Sequence, residues 1–183
     1  MKIKITGIIL LVLMTVTASA QRYITKTGYI RFYSDAPMEK IEAVNRQVNS
    51  ALDITTGDFV FKVLMKSFTF EKALMQEHFN ENYVESDKFP NADFKGKVSD
   101  PGSINFKKDG TYNATIEGKL TIHGITKDVK HTGTFEVAGG KILGKSKFNI
   151  QLSDYNITIP SAVVKNISNS VEVTVDVVLE KVQ

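Results

Sequence analysis

Along most of this 183-residue chain, apolar and polar residues alternate with a period of two. That period places successive side chains on opposite faces of an extended strand, so each run has one face for a core and one for solvent. The pattern is clearest near the end. Val171, Val173, Val175, Val177 and Leu179 share one face, and Glu172, Thr174, Asp176 and Glu180 share the other, with Val178 as the exception. Thr111–Ile122 sets Tyr112, Ala114, Ile116, Gly118, Leu120 and Ile122 against Thr111, Asn113, Thr115, Glu117, Lys119 and Thr121. Val129–Val137 and Lys141–Leu152 repeat the pattern, and earlier strands are expected at Tyr29–Ser34, Ile41–Arg46, Val48–Asp53, Asp58–Lys66 and Ala92–Val98. Turn residues separate these runs at Thr56-Gly57-Asp58, Asp100-Pro101-Gly102, Lys108-Asp109-Gly110 and Gly139-Gly140. The short, regular spacing makes successive strands antiparallel neighbours. Roughly eight strands, each with one apolar face, suit a barrel or a sandwich.

Two segments depart from this period. Phe70–Tyr83 has helical spacing, with Phe70/Leu74 and Met75/Phe79/Tyr83 as i, i+4 rows and Thr69 as the expected N-cap. The apolar side of this helix is expected to lie over the sheet or close one mouth of it. Pro160–Ser170 is polar and reads as a loop before the last strand.

The first twenty residues are of another kind. Lys2 and Lys4 precede a short apolar core from Ile8 to Val16, and Ala18-Ser19-Ala20 supplies a small-x-small cleavage pattern. This is the layout of a secretory signal peptide, and its apolar stretch falls short of the ~20 residues that a membrane span needs. Residues 1–20 are therefore expected to be removed, leaving one domain over residues 21–183 in the periplasm or outside the cell, with no transmembrane span. Without Lys2 and Lys4 the remaining 163 residues carry 21 basic against 20 acidic side chains, a net charge of +1. A nucleic-acid partner needs a basic footprint, and none is present. The chain has no cysteine, which excludes disulfides, thiolate metal sites and a lipoprotein anchor. Its stability must come from a buried apolar interior.

The inward faces offer large and small residues together. Phe59, Phe61, Val63 and Met65 point one way on their strand, and Phe32, Phe94, Phe106, Phe135 and Phe148 fall on inferred inner faces elsewhere. Gly96, Gly118, Gly133, Gly144 and Ser146 also fall inward. Small residues among large ones either let facing side chains interdigitate or leave room for a ligand, and an eight-stranded barrel is of a size that does either.

Four stretches resemble the YceI-like family of exported bacterial proteins: GYIRFYSDAP (28–37), FNENYVESDKFPNADFKG (79–96), GKLTIHGITK (118–127) and FNIQLSDYNITIP (148–160). The resemblance is spread over nearly all of residues 21–183 and contains no catalytic motif. It implies a lipocalin-like barrel. Together with the strand order this gives the expected fold: an all-β, antiparallel up-and-down barrel of about eight strands with one short helix. The resemblance also implies an apolar tunnel for a long-chain amphiphile such as a polyisoprenoid or an isoprenoid quinone, held as carrier, reservoir or sensor. The residues expected to line it are Phe32, Phe61, Met65, Leu74, Phe79, Phe94, Phe148, Ile150 and Tyr155. The competing expectation is a filled barrel serving as a structural or protein-interaction module without ligand.

Catalysis is not expected. Glu71, Glu77, Glu81, Glu85 and Asp87 are spread through the helix and its exit as a solvated edge, and no nucleophile-elbow, zinc-protease or phosphate-loop motif occurs. The histidines are His78, His123 and His131. His123 and His131 flank an expected turn at Ile125–Asp128, but their parity puts the two rings on opposite faces, against a metal pair. His123 reads as structural or solvent-facing, and His131 as a core or cavity-lining histidine with ligand contact the weaker reading. No resident cofactor or metal is expected, apart from the lipid or quinone itself. A long last strand at Val171–Leu179 would form a homodimer edge if the barrel were open.

Overall fold

The structure, a computed structural model, describes residues 21–182, so the expected signal peptide at residues 1–20 lies outside the described residues. In chain order the strands are β1 (Arg22–Asp35), β2 (Lys40–Asp53), β3 (Asp58–Leu64), the two-residue β4 (Thr69–Phe70), β5 (Asn91–Val98), β6 (Gly110–Ile122), β7 (Ile125–Ala138), β8 (Lys141–Gln151) and β9 (Ser170–Lys181). One short helix, α1 (Ala73–His78), lies between β4 and β5. Each long strand pairs antiparallel with the next, and β9 returns to pair with β1. The eight long strands therefore close into an up-and-down barrel, and the sandwich alternative falls away. β4 joins only the flank of β2, at Ala43 and Val44. β9 is paired along both sides, to β8 and to β1, so the exposed edge that would have invited dimerisation does not exist.

Several expectations change in detail. Ile41–Arg46 and Val48–Asp53 are one strand, β2, in which the inward parity switches between Asn45 and Val48. A matching irregularity lies around Gly28 on β1, and the register of the pair slips and recovers there. The displaced backbone is held by side chains. The fully buried Asn45 donates from Nδ2 to the Leu64 carbonyl at 2.9 Å and accepts the Gln47 N–H at 2.8 Å. Thr25 Oγ1 accepts the Thr27 N–H at 3.3 Å. These are β-bulges, which bend the strands as a closing barrel requires. Gly96 and Gly118 are register partners on β5 and β6. An added Cβ at Gly96 would overlap the Glu117 carbonyl oxygen, so the two backbones approach where only glycine fits.

The expected helix at Phe70–Tyr83 is shorter. Thr69 is not its cap, because Thr69 and Phe70 are held in β4 against β2. The helix begins at Ala73 after Lys72 and continues as a widened turn over Phe79–Tyr83. Strand β3 ends at Leu64 rather than Lys66, because Met65–Ser67 forms a 3₁₀ turn. Phe106 is buried, but it lies in the β5–β6 connection rather than on a strand. The expected turn at Ile125–Asp128 is part of β7. The reversal is His123-Gly124, both with positive φ, closing a two-residue hairpin between the paired Ile122 and Ile125. The connection from β8 to β9 holds two 3₁₀ turns, Leu152–Tyr155 directly after β8 and Ser161–Val163 within the expected loop.

The core divides into two clusters. At the lower end, where β2–β3, β5–β6 and β7–β8 connect, Leu52, Phe59, Phe135, Ile142, Val177 and Leu179 are packed to near-complete burial. The upper end carries the β1–β2 turn, the long 65–90 segment and the 152–169 connection. There the second cluster gathers Met65, Phe68, Phe70 and Val84 over the barrel.

Candidate functional site: an apolar cavity inside the barrel

Between the two clusters lies a cavity of about 430 Å³. Its floor is aromatic. Phe135 stands 5.6 Å from Phe59 and 5.9 Å from Phe106 between ring centroids, and Phe59 stands 4.6 Å from Phe61. Its walls are the inward residues of the strands, including Phe94, Ile116, Leu120, Ile150 and Val173. Toward the upper end four rings meet: Phe79 lies 5.4 Å from Phe32, 5.7 Å from Phe68 and 5.0 Å from Phe70. These distances and tilts suit edge-to-face and offset aromatic packing. Polar groups gather at this end. Glu39, beside the β1–β2 turn, takes an ion pair from Lys72 at 3.2 Å and a hydrogen bond from Asn166 Nδ2 at 3.4 Å. This polar strap ties three connections together across the upper end.

The wall is not hydrogen-bonded all round. The β7–β8 ladder runs from Ala138↔Lys141 to Gly133↔Ser146 and stops. Beyond that point the strands part, and His131 stacks on Phe148 with centroids 3.8 Å apart and an interplanar angle of 16°. Both residues line the cavity. Burial pushes the His131 pKa down, which favours the neutral ring.

Seven of the nine expected lining residues line this cavity: Phe32, Phe61, Met65, Phe79, Phe94, Phe148 and Ile150. Leu74 does not. It is 61% exposed on the outer side of α1, while the adjacent Met75 faces in. Tyr155 is also placed elsewhere: it is 3% exposed but packs in the upper cluster behind the lining, with burial and then Asp154 raising its pKa. Phe68, Phe70, Val84 and Ile157 line the cavity without having been singled out. The alternation Phe68-Thr69-Phe70 carried that signal.

The acidic residues around the helix do not form a site. Glu71, Glu77, Glu81, Glu85 and Asp87 are all outside the lining. Glu85 is instead structural. Its carboxylate pairs with Lys88 and lies 2.9 Å from His123 Nε2, and these hydrogen bonds, Lys88 first, lower its pKa. His123 Nδ1 lies 3.1 Å from the Tyr155 carbonyl oxygen, and Phe89 meets the ring edge-on at 4.7 Å. His123 thus pins the 84–90 segment to the β6–β7 turn. His131 lies six residues along β7 from Ile125, the first residue after that turn, about 20 Å at strand rise, so the two histidines do not meet. Among the described residues no three of His, Cys, Asp or Glu come together as metal ligands, and no helix is long and apolar enough to cross a membrane.

The family model for the YceI-like domain matches residues 22–179. No curated protein sequence matches the chain. Three solved structures share the fold at low identity. A polyisoprenoid binding domain from Saccharophagus degradans, implicated in plant cell wall breakdown, superposes with a TM-score of 0.77 at 12% identity, covering 90% of this chain and 100% of that one. BcnA of Burkholderia cenocepacia gives 0.65 at 13% identity, covering 83% and 95%. The YCEI protein of Campylobacter jejuni gives 0.57 at 14% identity, covering 100% and 92%.

Proposed function

Because the chain belongs to the YceI-like domain family, we propose that it is an exported binding protein holding a long-chain amphiphile, such as a polyisoprenoid or isoprenoid quinone, inside its barrel. The observation that supports this most is the cavity itself. It is about 430 Å³, within the range of small-molecule sites, and aromatic and aliphatic side chains make up almost all of its inner surface. Each methylene moved from water into such a space contributes about 0.8 kcal/mol, so a tail of a few isoprene units binds without directional contacts. Non-directional binding discriminates poorly between tails that differ by a methylene. The polyisoprenoid-binding description of the Saccharophagus degradans domain supports the same ligand class.

In this reading the protein works by binding rather than catalysis, as carrier, reservoir or sensor, and it acts in the periplasm or outside the cell after cleavage near Ala20/Gln21. The test is to purify the full-length gene product from a bacterial host, extract it into organic solvent and identify the extract by mass spectrometry. A stoichiometric long-chain lipid is expected. Recovery of no lipid, together with no uptake of long-chain quinones by the purified protein, refutes the reading.

A further inference from the structure

Among the described residues, two buried side-chain atoms have no hydrogen-bond partner in the chain, Asn80 Oδ1 and His131 Nε2. Only His131 lies on the cavity wall. A buried polar atom left unpaired costs free energy, and native proteins leave few of them. The ring is also held in place. It stacks on Phe148 two residues beyond the last β7–β8 pair, so ring packing replaces the ladder at the point where the wall parts. Around it Ile116 is the register partner of His131 on β6, and Val129 and Phe135 share its face of β7; Ser146 of β8 also lines the cavity, but its hydroxyl already donates to the Thr132 carbonyl at 2.7 Å.

We infer that His131 Nε2 is the polar contact for the cavity's ligand, and that it hydrogen-bonds a neutral carbonyl or hydroxyl oxygen. This rests on the reading that the cavity holds a long-chain amphiphile, and it adds which chemical group that amphiphile carries inside the barrel. A neutral imidazole presents one N–H and one lone pair, so it pairs with either oxygen type. Charged groups are disfavoured at this position. Among the described residues no lysine or arginine is buried, and Lys145, the one lysine that borders the cavity, is exposed on β8. A phosphate or carboxylate beside His131 would therefore lack a buried counter-charge. A plain hydrocarbon would leave Nε2 unpaired.

The test compares two probes that share ring and tail but differ in oxygens: a decyl-substituted benzoquinone and decylbenzene. Each is titrated calorimetrically into the purified protein and into its His131→Phe and His131→Gln variants. Phenylalanine keeps the stack on Phe148 and removes the nitrogen; glutamine keeps a donor and an acceptor. The wild type is expected to prefer the quinone by about tenfold, the worth of one hydrogen bond. His131→Phe is expected to erase that preference, and His131→Gln to retain part of it. In the wild-type protein, the His131 imidazole ¹⁵N shifts are expected to move with the quinone and stay still with decylbenzene. This readout needs no variant, so it holds even if a substitution fails to fold. If decylbenzene binds but the preference survives in His131→Phe, or the ¹⁵N shifts ignore the quinone, the assignment to His131 is overturned and the cavity reading stands. If neither probe binds the wild type, both readings fail.

Discussion

Truncating Phe135 to alanine tests whether the cavity has the floor described. The ring is 1% exposed, lies between Phe59 and Phe106, and borders the cavity on its upper side. Phe135→Ala removes the transfer free energy of the ring and leaves a void, a combination that costs about 3–5 kcal/mol in protein cores. The upper half of that range is expected here, because the void merges with the existing cavity instead of closing by collapse. For a domain of this size each kcal/mol lowers Tm by about 2–4 °C, so the melting temperature should fall by ~8–20 °C. Urea denaturation followed by circular dichroism should show a lower midpoint with an unchanged slope, because the surface exposed on unfolding is nearly the same. The substitution has a second consequence if the cavity holds a tail. The added depth accommodates further methylenes, each worth about 0.8 kcal/mol or fourfold in affinity, so the optimum tail length in a homologous ligand series should increase. A stability loss below about 1 kcal/mol would show that the ring is not wedged as described. An unchanged tail-length optimum would show that ligand does not reach the floor.

Other substitutions address the elements that shape the barrel. Asn45→Ala should lower stability by about 2–3 kcal/mol in urea titrations, since it strips a buried partner from both the Leu64 carbonyl and the Gln47 N–H at the bulge. Gly96→Ala should destabilise by at least 1–3 kcal/mol, roughly the range of core overpacking, because the clash is with backbone atoms of β6 that cannot swing aside. Leu74→Ser should change stability by less than about 0.5 kcal/mol, while Met75→Ser, one residue on, should cost clearly more; equal losses would mean that the two faces of α1 are misassigned. Glu85 has a folded pKa below its unfolded value, through Lys88 and then His123. Its contribution is therefore full above the unfolded pKa of about 4.3 and is lost as pH falls through the lower folded value. Melting curves between pH 3 and 7, spanning that ~4.3 reference, should show a shallower acid limb in Glu85→Gln than in the wild type.

The faces of the strands were legible because a closed barrel gives every strand the same division, inside against outside. Tyr112 to Ile122 and Phe59 to Met65 face as their parity says. Parity failed where something other than the strand fixed the side chain. In β2 the inward set shifts by one residue across Arg46 and Gln47, and alternation alone reads that as two strands. The compensation is a single asparagine amide bonded to the next strand's end, which leaves no trace in a hydrophobic period. Tyr155 follows the end of β8 at Gln151, so its direction is set by a 3₁₀ turn and not by the strand before it. Leu74 was assigned inward through its i, i+4 partner Phe70, but Phe70 is fastened to Ala43 in β4 and never joins the helix, which breaks that row. The row Met75, Phe79 and Tyr83 has no such competitor and lines the cavity. Whether the interior is hollow or filled was beyond reach for a different reason. It depends on how closely the inward side chains meet across the barrel, which parity does not report; nor does parity show that the β7–β8 ladder stops at Gly133, since the alternation continues through His131 to Val129. The same parting of strands leaves His131 with a partner for its ring and none for its Nε2.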